Sequence, residues 1–277
     1  MFPGKEKVML KQTMTGPVKV IRSGRSIGDY VPYQVHAFLL EDVLIDTSCA
    51  WVRPEILAAL EGERISKIIN THHHEDHTGN NRAVQDKFNA EIYAHHKALP
   101  FLENPRALDL LPYQLEVWEY PEPSQGLPLG DQFSAGEYWF DVIHTPGHCD
   151  AHVCFYEPRQ QWLFTGDIFC GRGFKYLRAD EDYNLIVDSL HKLAQLPVDM
   201  LFCSLLGPVP NGQEALLTKL DFMQRLRDQV LDLHHQGLSP TEIRIKVLGE
   251  EEVMTQMTDG HYSKQNTVDS ILGILKQ

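Results

Sequence analysis

The chain predicts a layered α/β sandwich carrying a helical tail. Three observations carry that reading. Short β-like apolar runs alternate with helical stretches from residue 36 to about 205; these fall into two strand-rich halves with helices outside; and the sequence from about residue 212 is helical. With 277 residues, 43% of them hydrophobic, the chain suits one large domain or a domain with an appendage. The division is placed at 1–211 and 212–277, the second part a C-terminal helical extension packed on the core.

The elements follow in order. "HAFLLEDVLIDT" (36–47) reads as a hairpin turning at Glu41-Asp42, and "RPEILAAL" opens a helix with Pro54 in its first turn. "ISKIINT" (65–71) is a buried strand, "NNRAVQDKF" a helix and "AEIYAH" (90–95) a strand. The second half opens with "YWFDVIHT" (138–145) and a hairpin over 152–167. A helix over 183–196 and the strand "VDMLFCSL" (198–205) complete it. In that helix Tyr183, Ile186, Val187, Leu190 and Leu193 form one apolar stripe. The tail repeats the pattern with Leu216, Leu220 and Met223, and with Val268, Ile271, Leu272 and Leu275, broken by the turn-like "QGLSPTE".

Composition narrows the function. A net charge of −13 disfavours a broad surface for nucleic-acid phosphates. Five scattered cysteines (Cys49, Cys149, Cys154, Cys170, Cys203) without a CxxC pair read as reduced thiols, pointing to the cytoplasm. The polar opening "MFPGKEKVMLKQTMTG" does not resemble a secretory signal, and no run of about 18 apolar residues offers a membrane span. The partners expected are a small-molecule substrate and, as an open alternative, a second copy of the chain, with neither nucleic acid nor membrane.

One segment demands a cation. "NTHHHEDHTGN" (70–80) places four histidines and two acids in six positions, His72 to His77, directly after an apolar strand. Buried acids need a partner that offsets their desolvation. On extended backbone His72 and His74 project to the same side and can share one ion; Asp76 and His77 follow where the chain turns away. Imidazole and carboxylate donors suit zinc, iron or manganese rather than a thiolate-rich structural site. HExxH on a helix does not fit, because a strand precedes the segment and Gly79 follows it.

The segment resembles the HxHxDH motif of the metallo-β-lactamase superfamily, as His72-x-His74-x-Asp76-His77. "VLIDTS", "HTPGHCDAH" and "LFTGDIF" resemble its first, third and fourth motifs, so the likeness spans about residues 40 to 170. It implies a four-layer αβ/βα sandwich and a hydrolase using one or two divalent ions, most often zinc. By that resemblance His72, His74 and His148 hold the first metal, while Asp76, His77 and a shared Asp167 hold the second. Asp46 would orient the metal loop, and His152 would be a hydrogen-bonding neighbour rather than a ligand. Metal-activated hydroxide would attack an activated acyl substrate such as a thioester or lactone, with Asp76 or Asp167 taking the proton.

Two positions depart from the family pattern. The strand "FCSLLGPV" offers Leu205 and Leu206 where a fifth-motif histidine is expected, so the second metal keeps three protein donors unless Cys203 compensates. Ser48 stands where the family has glycine. A mononuclear iron dioxygenase of the persulfide type, an RNA-processing nuclease and a non-catalytic metal-binding sensor remain the rival readings. Phe169, Phe174 and Tyr176 are equally suited to a pocket wall or a core. Cys149 reads as a packed thiol; His95, His96, His234 and His235 read as surface residues.

Overall fold

The computed structural model describes residues 9–173 and 176–275. Its strands are β1 (Met9–Thr15), β2 (Val18–Gly24), β3 (Val35–Leu40), β4 (Val43–Ile45), β5 (Lys67–Ile69), β6 (Glu91–Ala94), β7 (Gly126–Pro128), β8 (Gln132–Ala135), β9 (Tyr138–His144), β10 (Val153–Glu157), β11 (Trp162–Gly166), β12 (Leu177–Arg178), β13 (Met200–Cys203), β14 (Gly207–Pro210) and β15 (Tyr262–Ser263). The helices are α1 (Arg53–Ala59), α2 (Glu75–Thr78), α3 (Asn81–Phe88), α4 (Leu99–Glu103), α5 (Pro112–Val117), α6 (Tyr183–Leu193), α7 (Gly212–His235), α8 (Pro240–Leu248), α9 (Val253–Met257) and α10 (Lys264–Ile271).

Strands β1 to β7 form one sheet in sequence order, antiparallel through β4 and parallel from β4 to β7. The second sheet runs β14-β13-β11-β10-β9-β8, with β11 and β13 its parallel pair. Between the sheets lies an aromatic layer: Phe38, Phe133, Phe140, Phe155, Phe164 and Phe202 are buried together, with Phe164 stacked on Phe202 at 4.4 Å. Outside the first sheet α1, α3 and α4 bury Ile56, Val84 and Leu102. Outside the second, the α6 stripe is buried with Leu163, Leu201 and Cys203. Four layers result. The tail shares that last core: α7 contributes Ala215, Leu216, Leu220 and Met223, and α10 contributes Val268 and Ile271.

The 36–47 hairpin turns at Glu41, whose φ is +54°. The tail also holds a strand that its helical pattern did not predict: β15 pairs antiparallel with β12 and ties the C-terminus to the loop after β11. β1, β2, β7 and β8 were likewise unanticipated. Phe169, an even choice from sequence, is core, fully buried in the α6–α7 cluster; Phe174 lies outside the described residues.

Both sheets present the candidate residues at one edge. The chain leaves β4 at Asp46, β5 at Asn70, β9 at Thr145 and β11 at Asp167. A register shift between Phe164 and Gly166 marks a bulge just before Asp167, a device that re-aims a strand end. Gly79 closes this edge: a Cβ there would meet Ala50 N at 2.4 Å and Cys49 C at 2.5 Å. Gly79→Ala is therefore expected to cost about 1–3 kcal/mol by overpacking against backbone, read as a lower urea midpoint at unchanged slope.

Candidate metal centre

The centre is built on a buried polar scaffold. Asp46, at φ +58°, accepts the Thr71 backbone N–H at 2.9 Å and the Thr71 hydroxyl at 2.7 Å, and faces His77 Nδ1 at 2.8 Å. The Thr47 hydroxyl donates to Asn81 Oδ1 at 2.9 Å, and the Asn81 amide donates to Asn70 Oδ1 at 2.7 Å. Asn80 donates to the carbonyls of Thr47 and Cys49 at 2.7 and 2.8 Å. Ser48 adopts φ +62°, the left-handed conformation glycine would take without strain, and its hydroxyl meets Ser23 Oγ at 2.6 Å. The turn is thus kept despite the substitution.

On this scaffold the chain runs from β5 through His72 to His74, which is extended (φ −64°, ψ 154°) at the N-cap of α2. Asp76 and His77 ride the single turn of α2. The donor atoms of His72, His74 and His148 lie within 4.8 Å of one another, His148 Nε2 being 2.9 Å from His74 Nδ1. A second group, His72, His77 and Asp167, is equally close, with His77 Nε2 3.3 Å from Asp167 Oδ1 and 3.6 Å from Asp76 Oδ2. His72 Nε2, His77 Nε2 and Asp167 Oδ1 are buried without a well-formed hydrogen bond, the last two facing each other at 3.3 Å. Buried polar atoms rarely lack a well-formed hydrogen bond, and three in one cluster fit the donor set of a cation.

The electrostatics divide the imidazoles: burial lowers His148, but its hydrogen bond to Glu181 and the charge there raise it overall. Burial first, and then the neighbouring cationic groups, hold His72 and His74 well below the usual imidazole range; both are neutral, as ligation requires. Burial also lowers His77, but Asp76, Asp167 and Asp46 together raise it well above that range. Burial raises Asp167, yet the His77 charge and hydrogen bond hold it low. Without metal, His77 and Asp167 therefore form an ion pair in the place a dication would take.

His152 acts on Asp167 from behind. Its Nε2 accepts the Asp167 backbone N–H at 3.1 Å, and its Nδ1 contacts Thr145 Oγ1 at 2.8 Å. Gly166 makes this approach possible, since a Cβ there would lie 2.5 Å from His152 Nε2. With both nitrogens engaged, His152 has none left for an ion.

At the fifth-motif position the strand carries leucines and no histidine. Leu206 is 53% exposed and Leu205 packs against the outer core. Cys203 is buried in that core, and burial pushes its thiol up. Ser204 is buried, its carbonyl accepting the His36 backbone N–H at 2.7 Å and facing His36 Nδ1 at 2.8 Å. Cys149 lies 3.9 Å from His73 Nδ1, with its thiol raised to about 12 by burial. His96, His234 and His235 are exposed, whereas His95 is half-buried and stacks on His144 at 4.8 Å.

Several residues that no motif marked complete the centre. Glu181 Oε1 meets His148 Nδ1 at 2.5 Å, and its Oε2 accepts the Arg178 backbone N–H at 2.9 Å. Glu75 is buried with its carboxyl raised to about 7, chiefly by burial, and takes the Gln114 amide at 2.9 Å. The cluster "RADED" hints at such roles only by its density of charge just past Asp167. Glu181→Gln is expected to weaken the first metal position 10–100-fold, as loss of an orienting partner does, measured by metal retained after dialysis against chelator.

The model of the metallo-beta-lactamase superfamily matches residues 30–204, which include Asp46, His72, His74, Asp76, His77, His148 and Asp167. The chain belongs to this superfamily. A hydroxyacylglutathione hydrolase of Thermosynechococcus vestitus is 32% identical over 172 residues, 58% of this chain and 59% of that one. The chain thus spans under two thirds of that relative's length. A hydroxyacylglutathione hydrolase of Rippkaea orientalis is 29% identical over 79% of this chain and 82% of its own. Among solved structures, a metallo-beta-lactamase family protein from Thermus thermophilus shares the fold (TM-score 0.66, 19% identity, 94% of this chain and 92% of that one). TTHA1623, solved in a di-iron-bound form, is 28% identical over 67% of this chain and 94% of its own, with a TM-score of 0.53. No helix among the described residues is long and apolar enough to cross a membrane.

Proposed function

We propose that the chain is a metal-dependent hydrolase of activated acyl compounds, thioesters first among them. The convergence of His72 Nε2, His77 Nε2 and Asp167 Oδ1, buried together without a well-formed hydrogen bond, carries the reading. The likeness to hydroxyacylglutathione hydrolases, whose named substrates are thioesters, favours that class over lactones. His72, His74 and His148 would hold the first ion, and Asp76, His77 and Asp167 the second. Zinc suits these nitrogen and oxygen donors best, with iron or manganese as alternatives. A bound dication supplies a Lewis acid that brings the pKa of water toward about 7 and polarises an acyl oxygen.

The chain's own groups supply the rest. Asp167, held ionised, accepts a hydrogen bond from the attacking water and fixes its direction. Asp76, raised first by burial, is the better proton acceptor of the two. The water oxygen bonds to the acyl carbon, the carbon–sulfur bond breaks, and a proton leaves on the thiol. Purified protein loaded with zinc should release thiol from a hydroxyacyl-glutathione thioester, and chelator should stop it. Absence of turnover on glutathione and coenzyme A thioesters alike would defeat the thioester reading.

A second reading has one observation behind it. With leucines at 205 and 206, the first position alone has a complete set of imidazoles, which suits a single iron and oxygen chemistry on a thiol persulfide. Iron in the purified protein together with persulfide-dependent oxygen uptake would establish it. The −13 charge argues against the nuclease reading.

A further inference from the structure

The loop after β11 carries an arginine that the hydrolytic reading does not use. Arg178 is 7% exposed in its side chain, unusually low for a guanidinium. Its Nε and Nη2 form a fork on Asp180, each at 2.9 Å from a carboxylate oxygen. Asp180 is steadied from the C-terminal tail by His261 Nε2 at 3.2 Å, and His261 Nδ1 meets the Tyr113 hydroxyl at 2.6 Å. The Arg178 backbone N–H rests on Glu181, the same carboxylate that orients His148. The guanidinium is thereby aimed by Asp180, which His261 holds, and its backbone is held by Glu181.

Its remaining nitrogen, Nη1, lies 3.5 Å from His74 Nδ1. That imidazole nitrogen also faces His148 Nε2 at 2.9 Å, so it is the one turned to the first metal position. Once it shares its lone pair with a dication it can no longer accept from Arg178. A buried guanidinium nitrogen beside a dication is then left without an acceptor and is repelled, unless an anion lies between them. A tetrahedral acyl intermediate supplies such an anion on its oxygen.

We propose that Arg178 is a catalytic residue whose Nη1 donates to the negative charge developing on the substrate's acyl oxygen, with Asp180 and His261 as positioning residues. The proposal rests on the hydrolytic reading for its substrate but on the fold for its geometry. It makes the tail part of the site, because His261 lies beside β15, the strand that pairs with β12.

Two measurements separate the possibilities. Cobalt-loaded protein titrated with inorganic phosphate reports, in the visible bands of the ion, whether an anion bridges metal and guanidinium. Arg178→Met should keep its cobalt and bind phosphate at least about tenfold more weakly; Arg178→Lys, which keeps the charge but loses the fork, should fall between. With a thioester, Arg178→Met should lower kcat about 10²–10³-fold at nearly constant KM, the loss typical of one oxyanion donor. Equal phosphate affinity in parent and Arg178→Met, no phosphate response in the parent, or loss of cobalt from Arg178→Met would each overturn the assignment, as would a change in KM alone. If Arg178→Met does not fold, phosphate affinity in Arg178→Lys equal to the parent's overturns it instead. A parent inert on thioesters sinks the substrate reading, while the phosphate titration still judges Arg178.

Discussion

Replacing His72 or His148 by alanine should empty the first metal position and abolish hydrolysis. Removing an outer partner of a ligand costs about 10–100-fold in metal affinity, and removing the ligand itself should cost more than that. The nearest other donors among the described residues, His73 and Cys149, group with His74 and not with His72 or His148. His152 has both nitrogens engaged, on Thr145 and on the Asp167 backbone. The two variants should differ in one respect: His148→Ala leaves Glu181 Oε1 without its 2.5 Å partner, so it should also loosen the turn that carries Arg178. Metal analysis after gel filtration, with turnover measured on the same sample, checks both. Full metal content and rate in either variant would remove that histidine from the site.

The motif residues were legible because their chemistry is local. His72, His74, Asp76 and His77 sit within six residues, and the strand before them is marked by an apolar run, so one short window displays both the donors and their placement. Asp46, His148 and Asp167 became legible through the resemblance, each at the end of a run that reads as a strand. Glu181, Arg178, Asp180 and His261 were not legible. Their roles depend on a loop folding back onto the first half and on β15 meeting β12 across more than 80 residues of chain, and no periodicity encodes such a meeting. The strand β15 itself is two residues long inside a helical pattern, too short to register against its neighbours. Ser48 shows the opposite case: it departs from the family's glycine, yet it adopts the conformation glycine would take, with its hydroxyl against Ser23.

Asp167→Asn should keep the fold and lose the reaction. The amide has nearly the volume of the carboxyl, and the backbone at this point is held by His152 independently of the side chain. What disappears is the negative charge that pairs with His77 and that would bridge two ions. Loss of the carboxylate that directs the attacking water is expected to reduce kcat on the order of 10²-fold or more. The metal-free proteins should differ in a pH-dependent way. Asp167 is lowered in the fold, so its contribution to stability is present above its unfolded value of about 3.9 and is lost as pH falls through the folded value. His77 is raised, so its contribution is complete below about 6.5 and is lost as pH rises through its folded value. The pair therefore stabilises the metal-free chain most between about pH 4 and 6.5. Thermal unfolding should show Asp167→Asn furthest below the parent in that window, with the gap narrowing in strong alkali. For the same reason, metal entering the second position of the parent must displace the His77 proton, so uptake should weaken as pH falls. A correctly folded Asp167→Asn with the parent's rate, or a stability gap that does not change with pH, would show that Asp167 neither bridges ions nor pairs with His77.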